Sequence, residues 1–147
     1  MKALDRGLHL SAIYRYPVKS ARGQAVQEAR TDAFGIAGDR RWMLVDEHGV
    51  FVSQRTMAAM ALLEVSPAPD GLLLAYRGAQ LAVATPAPAA ARESVRVWSD
   101  QLEGLSADDA ANHWLSQRFG VPLRLVYCPD DARRAVDPHY CADDARV

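Results

Sequence analysis

Three short stretches carry side chains that can do chemistry together. In Tyr16-Pro17-Val18-Lys19-Ser20-Ala21-Arg22-Gly23, an ammonium and a hydroxyl follow directly on a proline that ends an alternating run. A Lys and a Ser at a strand mouth, beside a turn that glycine permits, make a phosphate grip. The glycine spacing of a P-loop is absent, and local chemistry alone equally describes a solvated Lys on a turn. Of the 17 basic residues only Lys2 and Lys19 are lysine, so Lys19 is the one internal ammonium in an arginine-rich chain, and the two groups are not interchangeable. In Gly35-Ile36-Ala37-Gly38-Asp39-Arg40-Arg41-Trp42, two glycines allow close backbone approach. Asp39 can hold an arginine and preset its fork for a phosphate. Arg40 and Arg41 open a strand and so point to opposite faces, one toward a pocket and one toward solvent. Ser53-Gln54-Arg55 can add an anion contact but reads first as a polar strand end.

Other constellations are poorer. Cys128, His139 and Cys141 match neither CxxC nor HxxxH spacing, so no metal site is expected from them. Cys128, before Pro129, reads as a small core residue. His48 sits in a turn, His113 on the solvent side of a helix, and no histidine is placed by sequence near Ser20. Asp108 and Asp109 serve a helix start, where the dipole favours them.

The elements that must position these groups are mostly strands. Leu8, Leu10, Ala12, Tyr14 and Tyr16 alternate with His9, Ser11, Ile13 and Arg15, the period of a strand with one face inward. Ala25–Arg30 is a weaker strand. Trp42-Met43-Leu44-Val45 is continuously apolar and predicts a strand covered on both faces; after Asp46-Glu47-His48-Gly49, Val50-Phe51-Val52 completes a hairpin. Leu62–Ser66, Leu72–Tyr76 and Leu81–Thr85 form a three-stranded meander around strong turn signals. Thr85–Ala91 is a loop by composition, and Val95 and Val97 mark a further strand. A short helical turn falls near Met57–Leu62. Ser106-Ala107-Asp108-Asp109 has capping-box spacing, and Ala110, Ala111, Trp114, Leu115 and Phe119 recur at helical spacing up to Gly120. Leu123, Leu125 and Tyr127 form a last strand. The expectation is a mainly β (α+β) fold: a small β-barrel of about seven to nine short strands, with one α-helix near 106–119. Residues 1–128 form the domain and 129–147 a polar tail or linker.

The chain's 147 residues fit one domain, with half of them apolar, about a quarter charged and a formal net charge of −1. Such a chain buries a core without disulfides or a structural metal. It lacks the basic excess for nucleic acid and the polybasic cluster for anionic lipid. The start has no signal-peptide pattern and no run approaches membrane-helix length, so a reducing, cytoplasmic setting is expected.

With these motifs together, the sequence resembles the N-terminal β-barrel domain of MOSC-domain proteins, the family of the amidoxime-reducing component and its bacterial relatives. The resemblance rests on Tyr16-Pro17-Val18-Lys19-Ser20 with Gly23, on Gly35 and Asp39-Arg40-Arg41-Trp42, and on Asp46, Gly49 and Gln54-Arg55. Further on it rests on Asp109, Trp114-Leu115-Ser116 and Leu123-Arg124-Leu125-Val126. It implies that Lys19, Ser20 and Arg40 contact the phosphate end of a molybdenum–molybdopterin cofactor shared with a C-terminal MOSC domain of the same polypeptide. It also implies two-electron reduction of N-hydroxylated compounds or oxides, fed by an external electron-donor protein. The family's molybdenum-ligating cysteine lies in the MOSC domain, and neither Cys128 nor Cys141 matches it. The chain therefore reads as an excised domain that grips cofactor and is not catalytic alone.

Two other classes stay open. One is a non-catalytic binding module for a phosphate-bearing ligand or a partner domain; pyridoxal phosphate, with Lys19 as its Schiff-base amine, belongs here. The other is a nucleic-acid-binding barrel, disfavoured by the near-zero charge and by Tyr14, Tyr16, Trp42 and Phe51 reading as core.

Overall fold

The computed structural model describes residues 7–132. Among these the chain runs through β1 (Ile13–Arg15), β2 (Gln24–Val26), β3 (Thr31–Asp32), β4 (Gly35–Ile36), β5 (Trp42–Val45), a 3-10 turn (Ala58–Leu62), β6 (Glu64–Ala68), β7 (Gly71–Tyr76), β8 (Ala79–Ala84), β9 (Arg92–Val97), β10 (Asp100–Ser106), α1 (Asp109–Phe119) and β11 (Arg124–Tyr127). The strands form four antiparallel sheets, ordered β1-β2, β3-β4, β6-β7-β8 and β5-β11-β10-β9. The mainly β, single-helix architecture is as the sequence leads one to expect. The ladders are more numerous and shorter than the pattern suggests, because β3 and β4 have only two residues each. β10 is a further addition: its Asp-Gln-Leu-Glu start is too polar to stand out as a strand.

The four-stranded sheet divides the core in two. Trp42 and Leu44 of β5 and Leu125 of β11 face one cluster, with Met60, Leu63, Leu74, Ala111 and Leu115. Met43, Val45 and Val126 face a second, with Phe51, Val95 and Val97. The unbroken apolar run of β5 follows from this: neighbouring side chains point to opposite faces, and both faces are covered. Gly104 of β10 makes room within the same sheet, since a Cβ there would collide with Val126 Cγ1.

Several local expectations change. The first strand pairs only over Ile13↔Val26 to Arg15↔Gln24. Leu8 and Leu10, with no ladder partner, are 97% and 76% exposed. Ile13 and Arg15, not Tyr14, are the partly buried side, and Tyr14 is exposed, so it is not core. The predicted return strand at Val50-Phe51-Val52 makes only single bridges, Val45↔Phe51 and Val50↔Arg96, because the chain there passes between two strands. The cap of α1 is Asp108, whose carboxylate accepts the Ala111 N–H at 2.7 Å, not Ser106. The first cluster claims Ala107 as buried core, so the helix begins two residues later than the capping-box spacing implies. Gly120 closes it in the left-handed conformation. Of the 129–147 segment, Pro129–Ala132 forms a turn held by Arg41–Asp130 and Arg92–Asp131 ion pairs, 2.6 and 2.7 Å long. Residues 133–147, with His139 and Cys141, lie outside the described residues.

Candidate anion-binding site

Two segments about twenty residues apart are zipped together by backbone hydrogen bonds. Arg40 N–H donates to the Tyr16 carbonyl at 2.7 Å, Trp42 N–H to Pro17 at 3.1 Å, and Lys19 N–H to Trp42 at 2.7 Å. Pro17 lacks an N–H but keeps its carbonyl, so it can sit in this run. Asp39 locks the junction: one carboxylate oxygen accepts the Tyr16 N–H at 2.7 Å, and the other lies 3.2 Å from the Arg40 guanidinium. Lys19 and Arg40 thereby border the same open cleft, about 440 Å³ in volume, together with Ser20, Gln54, Arg55, Phe51 and Trp98.

The third segment is brought in by a different device. Ser53 is buried, and its carbonyl accepts the Thr56 and Met57 N–H groups at 3.0 and 2.8 Å, closing a tight turn. From this turn Gln54 Nε2 donates to the Ser20 carbonyl at 2.9 Å. Ser53-Gln54-Arg55 is therefore a wall of the cleft rather than a plain strand end. Gly23 is required by space. A Cβ there would come within 2.5 Å of the Tyr16 ring, and that ring lies 5.6 Å from the Arg40 guanidinium.

Three of the four described non-glycine residues with positive φ line this cleft: Ser20 at 64°, Arg40 at 51° and Trp98 at 58°. Left-handed backbone at a side-chain-bearing residue costs about 1–2 kcal/mol and gathers at functional sites. Arg40 is thus not the first residue of a strand, and alternation does not separate it from Arg41. Arg40 keeps a 59% exposed side chain at the cleft, whereas Arg41 is 13% exposed. Arg41 neither faces solvent nor enters this cleft. It is held between the rings of Phe34 and Tyr127, at 4.4 and 5.4 Å, and donates to the Cys128 carbonyl at 2.6 and 3.0 Å.

Lys19 and Arg40 also border a smaller pocket of about 150 Å³, floored by Met43, Val97, Leu102 and Cys128. Burial raises the Cys128 thiol to about 11, with Arg41 and Lys19 pulling it partly back. That keeps it a neutral thiol rather than a nucleophile.

The main cleft's lining contains three cations, Lys19, Arg40 and Arg55, of which Arg40 is ion-paired with Asp39. The fork of Arg40, the ammonium of Lys19 and the hydroxyl of Ser20 are groups with the chemistry to hold a phosphate. The three residues singled out in the sequence are brought together. Trp98 also lines the cleft, where the available signal was a tryptophan placed in the turn between two strands, and Tyr16 and Phe51, expected as core, border it as well.

Comparison with known proteins gives the family. Residues 7–122 match the family described as MOSC N-terminal beta barrel domain. The chain belongs to that family. This MOSC N-terminal domain is 32% identical over 133 residues to mitochondrial amidoxime-reducing component 1 of Xenopus laevis, covering 85% of this chain and 39% of that protein. It is 30% identical to the Homo sapiens protein of the same name, over 91% of this chain and 42% of the relative. It is 29% identical to molybdenum cofactor sulfurase of Drosophila willistoni, over 76% of this chain and 15% of the relative. The chain thus spans well under half the length of these curated relatives. A Bordetella bronchiseptica protein solved in solution shares the fold, with a TM-score of 0.55 at 18% identity, covering 72% of this chain and 92% of that one.

Proposed function

We propose that this MOSC N-terminal domain grips the phosphate end of a molybdenum–pterin cofactor, as part of a longer protein that includes a MOSC domain. The convergence of Lys19, Ser20 and Arg40 on one cleft carries the reading. The names of the relatives, an amidoxime-reducing component and a molybdenum cofactor sulfurase, support its molybdenum side. Lys19 supplies a point charge, Arg40 a planar fork and Ser20 a hydroxyl to the phosphate oxygens. Gln54 and Asp39 hold the backbone that carries them. When bound, the cofactor would supply two-electron reduction of N-hydroxylated compounds or oxides, with electrons from an external donor. Cys128, a neutral thiol, does not serve as its metal ligand in this reading. A reducing cytoplasm is the proposed setting.

Molybdenum and pterin analysis of the whole gene product, made in a host that synthesises the cofactor, tests this. Both should be present, and both should be lost in the Lys19→Ala, Arg40→Ala double variant. Absence of both from the unaltered protein overturns the proposal and leaves a non-catalytic binding module for another phosphate compound.

A further inference from the structure

The cleft is lined by a run of contacts that the roles of Lys19, Ser20 and Arg40 do not explain. The Lys19 ammonium lies 5.3 Å from the Phe51 ring, Phe51 meets Trp98 edge-on at 5.8 Å, and the Arg55 guanidinium lies 5.6 Å from Trp98. All four residues border the same space. Trp98 is 54% exposed and held in left-handed backbone, so it is not there to fill the core. Arg55 makes no ion pair among the described residues. By contrast, Arg22, Arg40, Arg41, Arg92 and Arg124 each pair with a carboxylate. An aromatic face positions a cation without cancelling its charge. A carboxylate at the same place would offset part of that charge, as Asp39 does for Arg40.

We infer that Arg55, seated on Trp98, is a third anion-binding cation of the cleft, contacting the same phosphate group as Lys19 and Arg40. This rests on the phosphate reading of the cleft. Three cations, with Asp39 offsetting part of the Arg40 charge, match a phosphate that carries two charges at neutral pH, such as a phosphate monoester dianion or a diphosphate. Serine and lysine on one turn and arginine on another would then close on it from separate segments, with Trp98 setting where Arg55 reaches.

Calorimetric titration of the 147-residue chain with inorganic pyrophosphate, at fixed low ionic strength, tests the inference. Arg55→Ala should weaken binding roughly tenfold or more, the scale of a lost charge-assisted hydrogen bond. Arg55→Lys should recover part of the loss, and Trp98→Ala should weaken binding while leaving the charge in place. Arg118→Ala is the matched control. Arg118 lies 5.5 Å from the Trp114 ring on α1 and borders no part of the cleft, so its loss should change affinity less than twofold. Circular dichroism and melting temperature confirm the fold of each variant. If Arg55→Ala binds as tightly as the parent while Lys19→Ala or Arg40→Ala does not, the inference fails and the phosphate reading stands. If the parent chain itself shows no pyrophosphate binding, both fail.

Discussion

Asp39 fixes Tyr16 rather than merely pairing with Arg40: its carboxylate accepts the Tyr16 backbone N–H at 2.7 Å, and the ion pair to Arg40 is the longer contact, at 3.2 Å. The relative weight of the two is testable. An ion pair to an arginine with a 59% exposed side chain contributes about 0–1 kcal/mol. A partly buried N–H left without an acceptor costs about 1–3 kcal/mol. Asp39→Ala should therefore lower unfolding free energy by about that larger amount. Asp39→Asn, which keeps an acceptor oxygen, should lower it by less than about 1 kcal/mol. Urea denaturation of the two variants decides between them; equal losses would mean the ion pair dominates.

Ser20 separates backbone conformation from side-chain chemistry. At φ 64°, Ser20→Gly removes left-handed strain but adds unfolded-state freedom, so stability should stay within about 1 kcal/mol of the parent. Its pyrophosphate affinity should nevertheless drop several-fold through loss of the hydroxyl. Ser20→Val, branched at Cβ, should cost roughly 1–2 kcal/mol of stability. Denaturation and calorimetry on the same samples read both effects.

Gly23→Ala should damage the site without touching its charges. The new methyl meets the Tyr16 ring, whose Cε1 and Cζ lie 2.5 and 2.7 Å from its position. The ring must shift, and with it the surface against which Arg40 rests at 5.6 Å. Overpacking of this kind costs about 1–3 kcal/mol, and a melting-temperature scan should show the drop alongside weaker anion binding.

The start of α1 distinguishes two caps. Asp108→Ala should cost about 1 kcal/mol, the usual loss on removing an N-cap acceptor. Ser106→Ala should cost less than half of that, since Ser106 Oγ receives only a long 3.5 Å contact from Asn112. Equal effects would return the cap to Ser106.

Cys128 should make stability fall at high pH. Its thiol is raised from 9.0 to about 11 in the folded state, so the folded protein holds a proton that the unfolded chain releases. The contribution is complete below pH 9 and is lost as pH climbs toward 11. The parent should lose about 2 kcal/mol more than Cys128→Ala across that window. Matching pH profiles of unfolding would sink the assignment. Maleimide labelling of the native protein should be slow at neutral pH for the same reason.

The sequence by itself determined the motif order, the strand-rich class, the single helix with its Gly120 stop, and the two-sided burial of Trp42–Val45. These are local signals: a period of two or of about 3.6 residues, a turn chemistry, an unbroken apolar run. It also drew attention to Lys19 and Ser20 by residue type and position, while Arg40 was set apart from Arg41 only by the family resemblance. Only the tertiary structure decided that Lys19 and Arg40 share a cleft, because the parallel zipper of residues 16–19 along 40–42 has no signature in either segment alone. The same holds for Arg55 and Trp98, which meet through packing between a tight turn and a distant hairpin. Arg40 and Arg41 show the reason most plainly. Adjacent arginines read alike in sequence, yet one left-handed residue and two flanking rings send Arg40 to the cleft and lock Arg41 against Cys128.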